Sequence, residues 1–229
     1  MSRCRLAFLR VALKLSWSVG GAADAVDGLP RLSGPDVNGM LGVLKPGDFV
    51  LLGNNGRLSH VAVHTGDGEI VHAMATEKTM RGWLGSVRDA FARVFGGSER
   101  VGVLHERLDA FLARYERDTW AVVRPPEIAP DALGRGLERV RSLVGQPYDY
   151  GFRAANEAWY CTELVEEFLK AALGEAAPAI PRTPVRVPLL LAEQVMEPAA
   201  LLGADGLKPV AANRAALTHY REHVEAVIV

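Results

Sequence analysis

The fold of this chain is decided by one stretch, Trp159-Tyr-Cys-Thr-Glu-Leu-Val-Glu-Glu-Phe-Leu-Lys-Ala-Ala-Leu173. Its apolar residues recur at three- and four-residue steps, which predicts an amphipathic helix with one buried face. Cys161 lies in the first turn, on the same side as Leu164 and Phe168. Free backbone N–H groups and the helix dipole favour an anion at that end, so the position favours a thiolate. The simpler alternative is a small buried hydrophobe.

Length and composition are those of a globular protein. The chain has 229 residues, of which 49% are hydrophobic and 23% charged. That length allows a sizeable core and favours one domain over two. The net charge of −1 gives no electrostatic reason to expect nucleic acid as a partner.

The cysteine content excludes two classes of small stabilised domain. Cys4 and Cys161 are the only cysteines, so the chain can form neither a disulfide framework nor a cysteine-rich zinc site. We therefore predict a free thiol at Cys161. Separately, no cofactor and no metal are predicted.

The N-terminus begins like a signal peptide and then departs from that pattern. Arg10 and Lys14 interrupt the apolar run that follows Arg5, leaving it too short and too charged to span a membrane. We interpret residues 3–19 as a basic amphipathic helix packed on its own domain, with contact to a membrane surface as the alternative. Residues 1–40 then form this helix and a connector. A cytoplasmic location is favoured over a periplasmic or membrane-peripheral one.

Three short strands separated by turn sequences predict an antiparallel meander at 44–52, 58–64 and 69–74. In the second strand the period of two puts His60 and His64 on one face, and Val61 and Val63 on the other. We expect the valines to form the core face of a single-sided sheet, with the histidines opposite.

The strand register decides whether His72 joins His60. A pairing of residue 62 with residue 72 places the two histidines on one face, whereas a shift by one residue separates them. The loop sequence leaves both registers open. A zinc site of His60, His64 and His72 is a minority alternative, because strand spacing makes a closed tetrahedral set awkward.

The rest of the chain is predicted to be mainly helical. Met80–Phe95 forms a strongly amphipathic helix within an insertion at about 78–98; ordinary packing is favoured, and a lid or lipid-facing helix is the alternative. Further helices are predicted at 106–115, 130–143, 189–196 and 213–227, with a strand at 119–124.

In their order and spacing, four segments resemble a known family. The chain is similar to the circularly permuted NlpC-type papain-like cysteine hydrolases of the YiiX/YebB-like group, which are related to the lecithin:retinol acyltransferase-like enzymes. The likeness runs from about residue 44 to about residue 210. The segments are LKPGDFVLL at 44–52, SHVAV with GDGEIVHA at 59–73, GQPYD at 145–149 and YCTELV at 160–165.

The resemblance implies an α+β fold in which a small antiparallel sheet packs against the cysteine helix, with residues 41–229 as the catalytic domain. Position by position, Cys161 matches the nucleophile, His60 the general base and His72 the third, polar member. Tyr148 and Tyr160 are candidates for lining the substrate cleft, and Tyr160 equally suits the core.

Three hypotheses for function follow. The leading one is a cysteine hydrolase that cleaves an amide bond, in a peptide such as a cell-wall stem peptide or in an N-acyl compound. The second is a thiol acyltransferase or lipase acting on lipid, served by the 80–95 and N-terminal helices. The third is a non-catalytic binding module of the same fold.

Overall fold

The structure is a computed structural model that describes residues 32, 34–74, 101–114, 117–149, 157–185, 193–220 and 222. Two of the predicted elements, the helix at 3–19 and the insertion helix at 80–95, lie outside the described residues. Both stay predictions.

A six-stranded antiparallel sheet forms the centre of the described chain, in the order β4-β3-β2-β1-β5-β8. Two further strands pair with each other in a small separate sheet. The three strands of the predicted meander are confirmed as neighbours in the order β3-β2-β1. The strands are β1 (Phe49–Asn54), β2 (Arg57–Gly66), β3 (Glu69–Met74), β4 (Gly102–Arg107), β5 (Thr119–Arg124), β6 (Thr183–Val185), β7 (Glu193–Val195) and β8 (Lys208–Ala212).

Helices are interspersed with these strands, and the predicted α+β fold class is confirmed. None of the described helices has the length and apolar character needed to cross a membrane. They are α1 (Gly34–Val43), α2 (Leu108–Arg114), α3 (Pro130–Ser142), α4 (Cys161–Leu173) and α5 (Arg214–His219), with short 3₁₀ helices at Gly174–Ala176 and Pro198–Gly203.

Both faces of β2 are buried, so the prediction of a single-sided sheet was wrong. Val63 pairs with Phe49, whose ring meets that of Phe168 in α4 edge-on at 5.6 Å. On the other face, Phe111 of α2 stacks against His60 at 5.5 Å. Helices therefore cover the valine face and the histidine face alike, which is why alternation along β2 does not separate core from solvent.

The hairpin between β2 and β3 contains a one-residue bulge. Gly66 pairs with Glu69, but the next pair is His64 with Ile70, so Thr65 is the extra residue. The turn after it is tight, since Gly66, Asp67 and Gly68 all have positive φ. Arg141 of α3 donates a hydrogen bond to the Thr65 carbonyl oxygen at 3.0 Å. A side chain from outside the hairpin thus stabilises the bulge.

Several predicted elements differ from those observed. The helix predicted at 106–115 begins at Leu108, because residues 106 and 107 extend β4 along β3. The helix predicted at 189–196 is wrong where the chain is described, since Glu193–Val195 is a strand. Strand β8 was not predicted, and α1 lies partly in the segment interpreted as a connector. Pairing with a neighbouring strand outweighs local helix propensity in such short segments.

Helices α3 and α4 approach closely at Gly136, which gives a matched test of the packing. A Cβ there would lie 2.8 Å from Cε2 of Phe168, whereas one at Gly134 on the same helix meets no atom within 4 Å. We expect Gly136→Ala to lower the free energy of unfolding by about 1–3 kcal/mol through overpacking. Gly134→Ala should raise it by up to about 1 kcal/mol through helix propensity. Urea denaturation measures both, and equal effects would contradict the packing described.

Candidate active site

Cys161 is the first residue of α4 and is 8% exposed. Burial is the largest influence on its thiol and raises the pKa above the ordinary value. Hydrogen bonds from the backbone of Val61, Thr162 and Cys161 itself, and from the Thr162 side chain, act in the opposite direction. The helix start favours a thiolate as expected, but burial outweighs these bonds and the net shift of the pKa is upward.

The sulfur of Cys161 reaches the sheet where β2 and β3 begin to pair. The pairing of these strands runs from Ala62 opposite His72 towards the hairpin turn. Val61 lies just beyond this pairing, and its backbone hydrogen-bonds the thiol. The thiol is therefore held against the backbone of the residue that follows His60.

His60 and His72 form a hydrogen-bonded pair. Because Ala62 pairs with His72, the register is the one that places both histidines on one face. Nε2 of His60 lies 3.0 Å from Nδ1 of His72, and the rings meet edge-on. Phe111 fixes both rings, stacking on His60 and meeting His72 edge-on at 4.9 Å. Two residues that are 12 apart in sequence thus form one hydrogen-bonded and packed pair.

The environment of His60 favours the neutral imidazole. Burial, the neighbouring His72 and the charge of Arg117, in that order, hold the pKa of His60 well below its ordinary value. With the pKa of Cys161 raised, the resting site holds a neutral thiol and a neutral imidazole. Such a pair can act by proton transfer during attack and does not require a preformed ion pair.

Glu106 is a residue that the sequence analysis missed. Its Oε1 lies 2.7 Å from Nε2 of His72, with the Glu106 side chain 15% exposed. The prediction placed Glu106 at the start of a helix and gave it no role in the site. Residues 103–106 read apolar, apolar, polar, polar, so no alternation in the sequence marked this segment as a strand.

The two tyrosines proposed to line the substrate cleft are both buried. The Tyr160 hydroxyl accepts a hydrogen bond from the Met196 backbone N–H at 3.3 Å, and burial raises its pKa to about 12. Tyr148 is 7% exposed, and its backbone pairs with that of Trp159 in an isolated β-bridge. Their burial favours the packing alternative for Tyr160, and contact with a substrate stays a prediction for both.

His64 does not join the histidine pair. Its Nδ1 lies 2.9 Å from the Lys45 carbonyl oxygen, at the far end of the strand. Across the described residues, there is no group of three or more His, Cys, Asp or Glu side chains suited to hold a metal ion. The alternative of a zinc site of His60, His64 and His72 therefore gains no support.

A comparison with protein families now identifies the chain. The model of the permuted papain-like amidase enzymes, the YaeF/YiiX or C92 family, matches residues 45–184, more than half of the 229 residues. The chain belongs to this family. The matched range contains all four residues of the site: His60, His72, Glu106 and Cys161. The predicted YiiX-like membership is confirmed, and it supports a cysteine amidase in general.

A solved structure is also similar to this amidase. The crystal structure of metalloprotein yiiX from Escherichia coli O157:H7 is 18% identical, with a TM-score of 0.48. The match covers 74% of the present chain and 97% of the other. A comparison with curated proteins gives no match.

A buried carboxyl group lies in the first turn of the amidase's cysteine helix. Oε2 of Glu163 accepts a hydrogen bond from the Tyr160 backbone N–H at 3.0 Å. Burial, and then the nearby charges of Asp149 and Glu166, raise the pKa of Glu163 to about 8. Glu163 is therefore mainly protonated in the folded protein at neutral pH, so it adds little negative charge next to the thiol.

The raised pKa of Cys161 predicts the pH dependence of its alkylation. In a Cys4→Ser background, where Cys161 is the one thiol, the midpoint of iodoacetamide labelling should lie at higher pH than that of glutathione. The physical reason is that burial opposes the thiolate, which is the form that reacts. Intact mass spectrometry between pH 6 and pH 10 measures the rates. Labelling that is already maximal at pH 6 would instead indicate a preformed thiolate and imidazolium.

The raised pKa of Glu163 predicts that the protein loses stability as pH rises. The unfolded chain releases this proton above about pH 4.3, whereas the folded protein keeps it until about pH 8. Stability should therefore fall between those values by at most about 1.4 kcal/mol per pH unit. Glu163→Gln removes this titrating carboxyl group. Its free energy of unfolding relative to that of wild type should therefore increase from pH 5 to pH 8.

Urea denaturation at several pH values checks that expectation. Glu167→Gln is the matched control, since Glu167 is on the same helix, forms an ion pair with Arg139 and is not one of the charges that raise the pKa of Glu163. Its stability relative to wild type should not grow in this way. If the free energies of unfolding of wild type and Glu163→Gln change in parallel with pH, the raised pKa of Glu163 is contradicted.

Proposed function

We propose that this chain is a cysteine hydrolase that cleaves an amide bond in a peptide or N-acyl substrate through a thioester on Cys161. The observations that carry the proposal are the hydrogen-bonded His60–His72 pair and the bond between the Cys161 thiol and the backbone of Val61, the residue that follows His60. Membership of an amidase family supports an amide as the scissile bond. A cell-wall stem peptide is one such substrate.

In the first step His60 acts as general base. Its Nε2 is engaged by His72, so Nδ1 is the nitrogen that takes the thiol proton. As this proton moves, sulfur forms a bond with the carbonyl carbon, and the carbonyl electron pair moves to oxygen. Because both groups are neutral at rest, proton transfer and attack proceed together. The product is a tetrahedral oxyanion beside an imidazolium.

The start of α4 is suited to stabilise that oxyanion. The first N–H groups of a helix lack partners within the helix, and the dipole adds positive potential there. Backbone N–H groups of Cys161 and Thr162 already face the sulfur. Donors held in position before the reaction need no reorganisation when charge develops.

The oxyanion then collapses to a thioester. Nδ1–H of His60 gives its proton to the leaving nitrogen as the C–N bond breaks, and an amine leaves. In the second half, His60 takes a proton from water while the water oxygen bonds to the carbonyl carbon. The C–S bond breaks, the acid product leaves and the thiolate regains the proton from His60. Water as the acceptor makes the enzyme a hydrolase.

A thioester intermediate is directly observable by mass. We propose to mix the protein with N-acyl amino-acid p-nitroanilides and with a stem peptide, quench in acid, and measure intact and peptide masses. The acyl mass should appear on Cys161 in wild type and be absent from Cys161→Ala. His60→Ala should lower the rate of acylation by roughly 10²–10⁴-fold, because general base catalysis is lost.

His64→Gln is the control for that series. His64 is buried on the same strand and the same face, and it bonds to Lys45 instead of to the histidine pair. This variant should keep the wild-type rate of acylation if it folds, as thermal unfolding will show. An acyl mass on another residue, or equal loss in His60→Ala and His64→Gln, would count against the proposal.

A further inference from the structure

Glu106 extends the histidine pair by one more hydrogen bond. In the pairing of β3 with β4, Glu106 stands opposite Ile70, which puts it diagonal to His72 on the same face of the sheet. His72 is 0% exposed, and each of its ring nitrogens has a partner. Nδ1 faces Nε2 of His60 at 3.0 Å, and Nε2 faces Oε1 of Glu106 at 2.7 Å.

The chemistry of Glu106 determines where the protons of this chain lie. A carboxylate only accepts hydrogen bonds, so Nε2 of His72 carries a proton. A neutral imidazole has one such proton, which makes Nδ1 of His72 an acceptor and Nε2 of His60 the donor to it. Nδ1 of His60 then carries the free electron pair. One acceptor thus sets the tautomers of two rings.

We propose that Glu106 is a positioning residue that fixes the tautomers of His72 and His60, so that Nδ1 of His60 is free to take the thiol proton. The inference deepens the proposed function and rests on the assignment of His60 as general base. A triad of Cys161, His60 and His72 alone leaves the protons undetermined, because two neutral imidazoles can donate in either direction. Glu106 makes one direction favourable.

The surroundings strengthen this control. Phe111 packs against both histidine rings, so a ring flip that exchanges their nitrogens must disrupt this contact. The contact of 2.7 Å between His72 and Glu106 is in the range of a charge-assisted hydrogen bond. Since the backbone pairing of β2, β3 and β4 holds all three side chains, their order does not depend on a flexible loop.

Glutamine at position 106 tests the proposal because its amide can donate as well as accept. In Glu106→Gln, the reversed chain becomes available: the amide donates to Nε2 of His72, Nδ1 of His72 donates to Nε2 of His60, and Nδ1 of His60 is protonated. The substitution preserves size and removes only the preference for one direction. Glu106→Asp keeps the carboxylate and serves as the conservative variant.

The chain also offers a matched control on the same two strands. Glu69 of β3 bonds to Nε2 of His105 in β4 at 2.8 Å, and both are partly exposed. Glu69→Gln therefore makes the same change in another carboxylate–histidine pair of this strand pair. It should leave His60 and His72 unaffected.

The readout is two-bond ¹H–¹⁵N correlation of ¹⁵N-histidine in the full chain at pH 7, with His60 and His72 assigned by substitution. We expect wild type, Glu69→Gln and Glu106→Asp to carry the proton on Nε2 in both rings. In Glu106→Gln, which can also donate to Nε2 of His72, a fraction of His60 should be protonated on Nδ1. Acylation of Cys161 by p-nitrophenyl acetate should fall by roughly 10–100-fold in Glu106→Gln, the range seen when a carboxylate that orients a metal-binding histidine is removed.

Three outcomes would overturn the inference. They are unchanged His60 and His72 tautomers in a folded Glu106→Gln protein, loss of the wild-type tautomers in Glu106→Asp, and a doubly protonated His72 in wild type. Failure of the proposed function looks different. In that case the tautomers change as expected, yet wild type forms no acyl group on Cys161 with any probe.

Discussion

The site depends on the single extra residue in the hairpin between β2 and β3. Without the bulge at Thr65, pairing that starts from Gly66 and Glu69 would set His72 opposite Val63, on the face away from His60. With it, His72 pairs with Ala62 and shares the face of His60. Arg141 of α3 donates a hydrogen bond to the carbonyl oxygen of the bulge residue, so a helix outside the hairpin helps to maintain the register.

The same register explains why the reactive groups are so deeply buried. The histidine face of β2 is covered by α2, and the valine face by α4, which delivers Cys161 at its first residue. Burial then sets the resting charges, because it opposes both a thiolate and an imidazolium. Proton transfer between a neutral thiol and a neutral imidazole depends on how the imidazole is oriented. The hydrogen bonds that orient it are therefore important.

The amino-acid sequence predicted the elements that carry the site, and it failed where pairing partners decide the outcome. The meander, the strand at 119–124 and the cysteine helix follow from local periodicity, so they were predictable. The sequence could not choose between two registers for His72, because a bulge is a property of two paired strands. It missed Glu106 for a related reason, since the β4 segment becomes a strand by pairing with β3 and not by strong propensity.

The protonated, nearly inaccessible thiol of Cys161 has a consequence for the lifetime of the protein in oxidising surroundings. Peroxides and disulfides react with thiolates, and susceptibility grows with exposure and with thiolate content. A cysteine that is 8% exposed, with a raised pKa, is thus shielded from conversion to sulfenic acid in the resting protein. Burial of the thiol thus protects the resting protein from oxidation at Cys161.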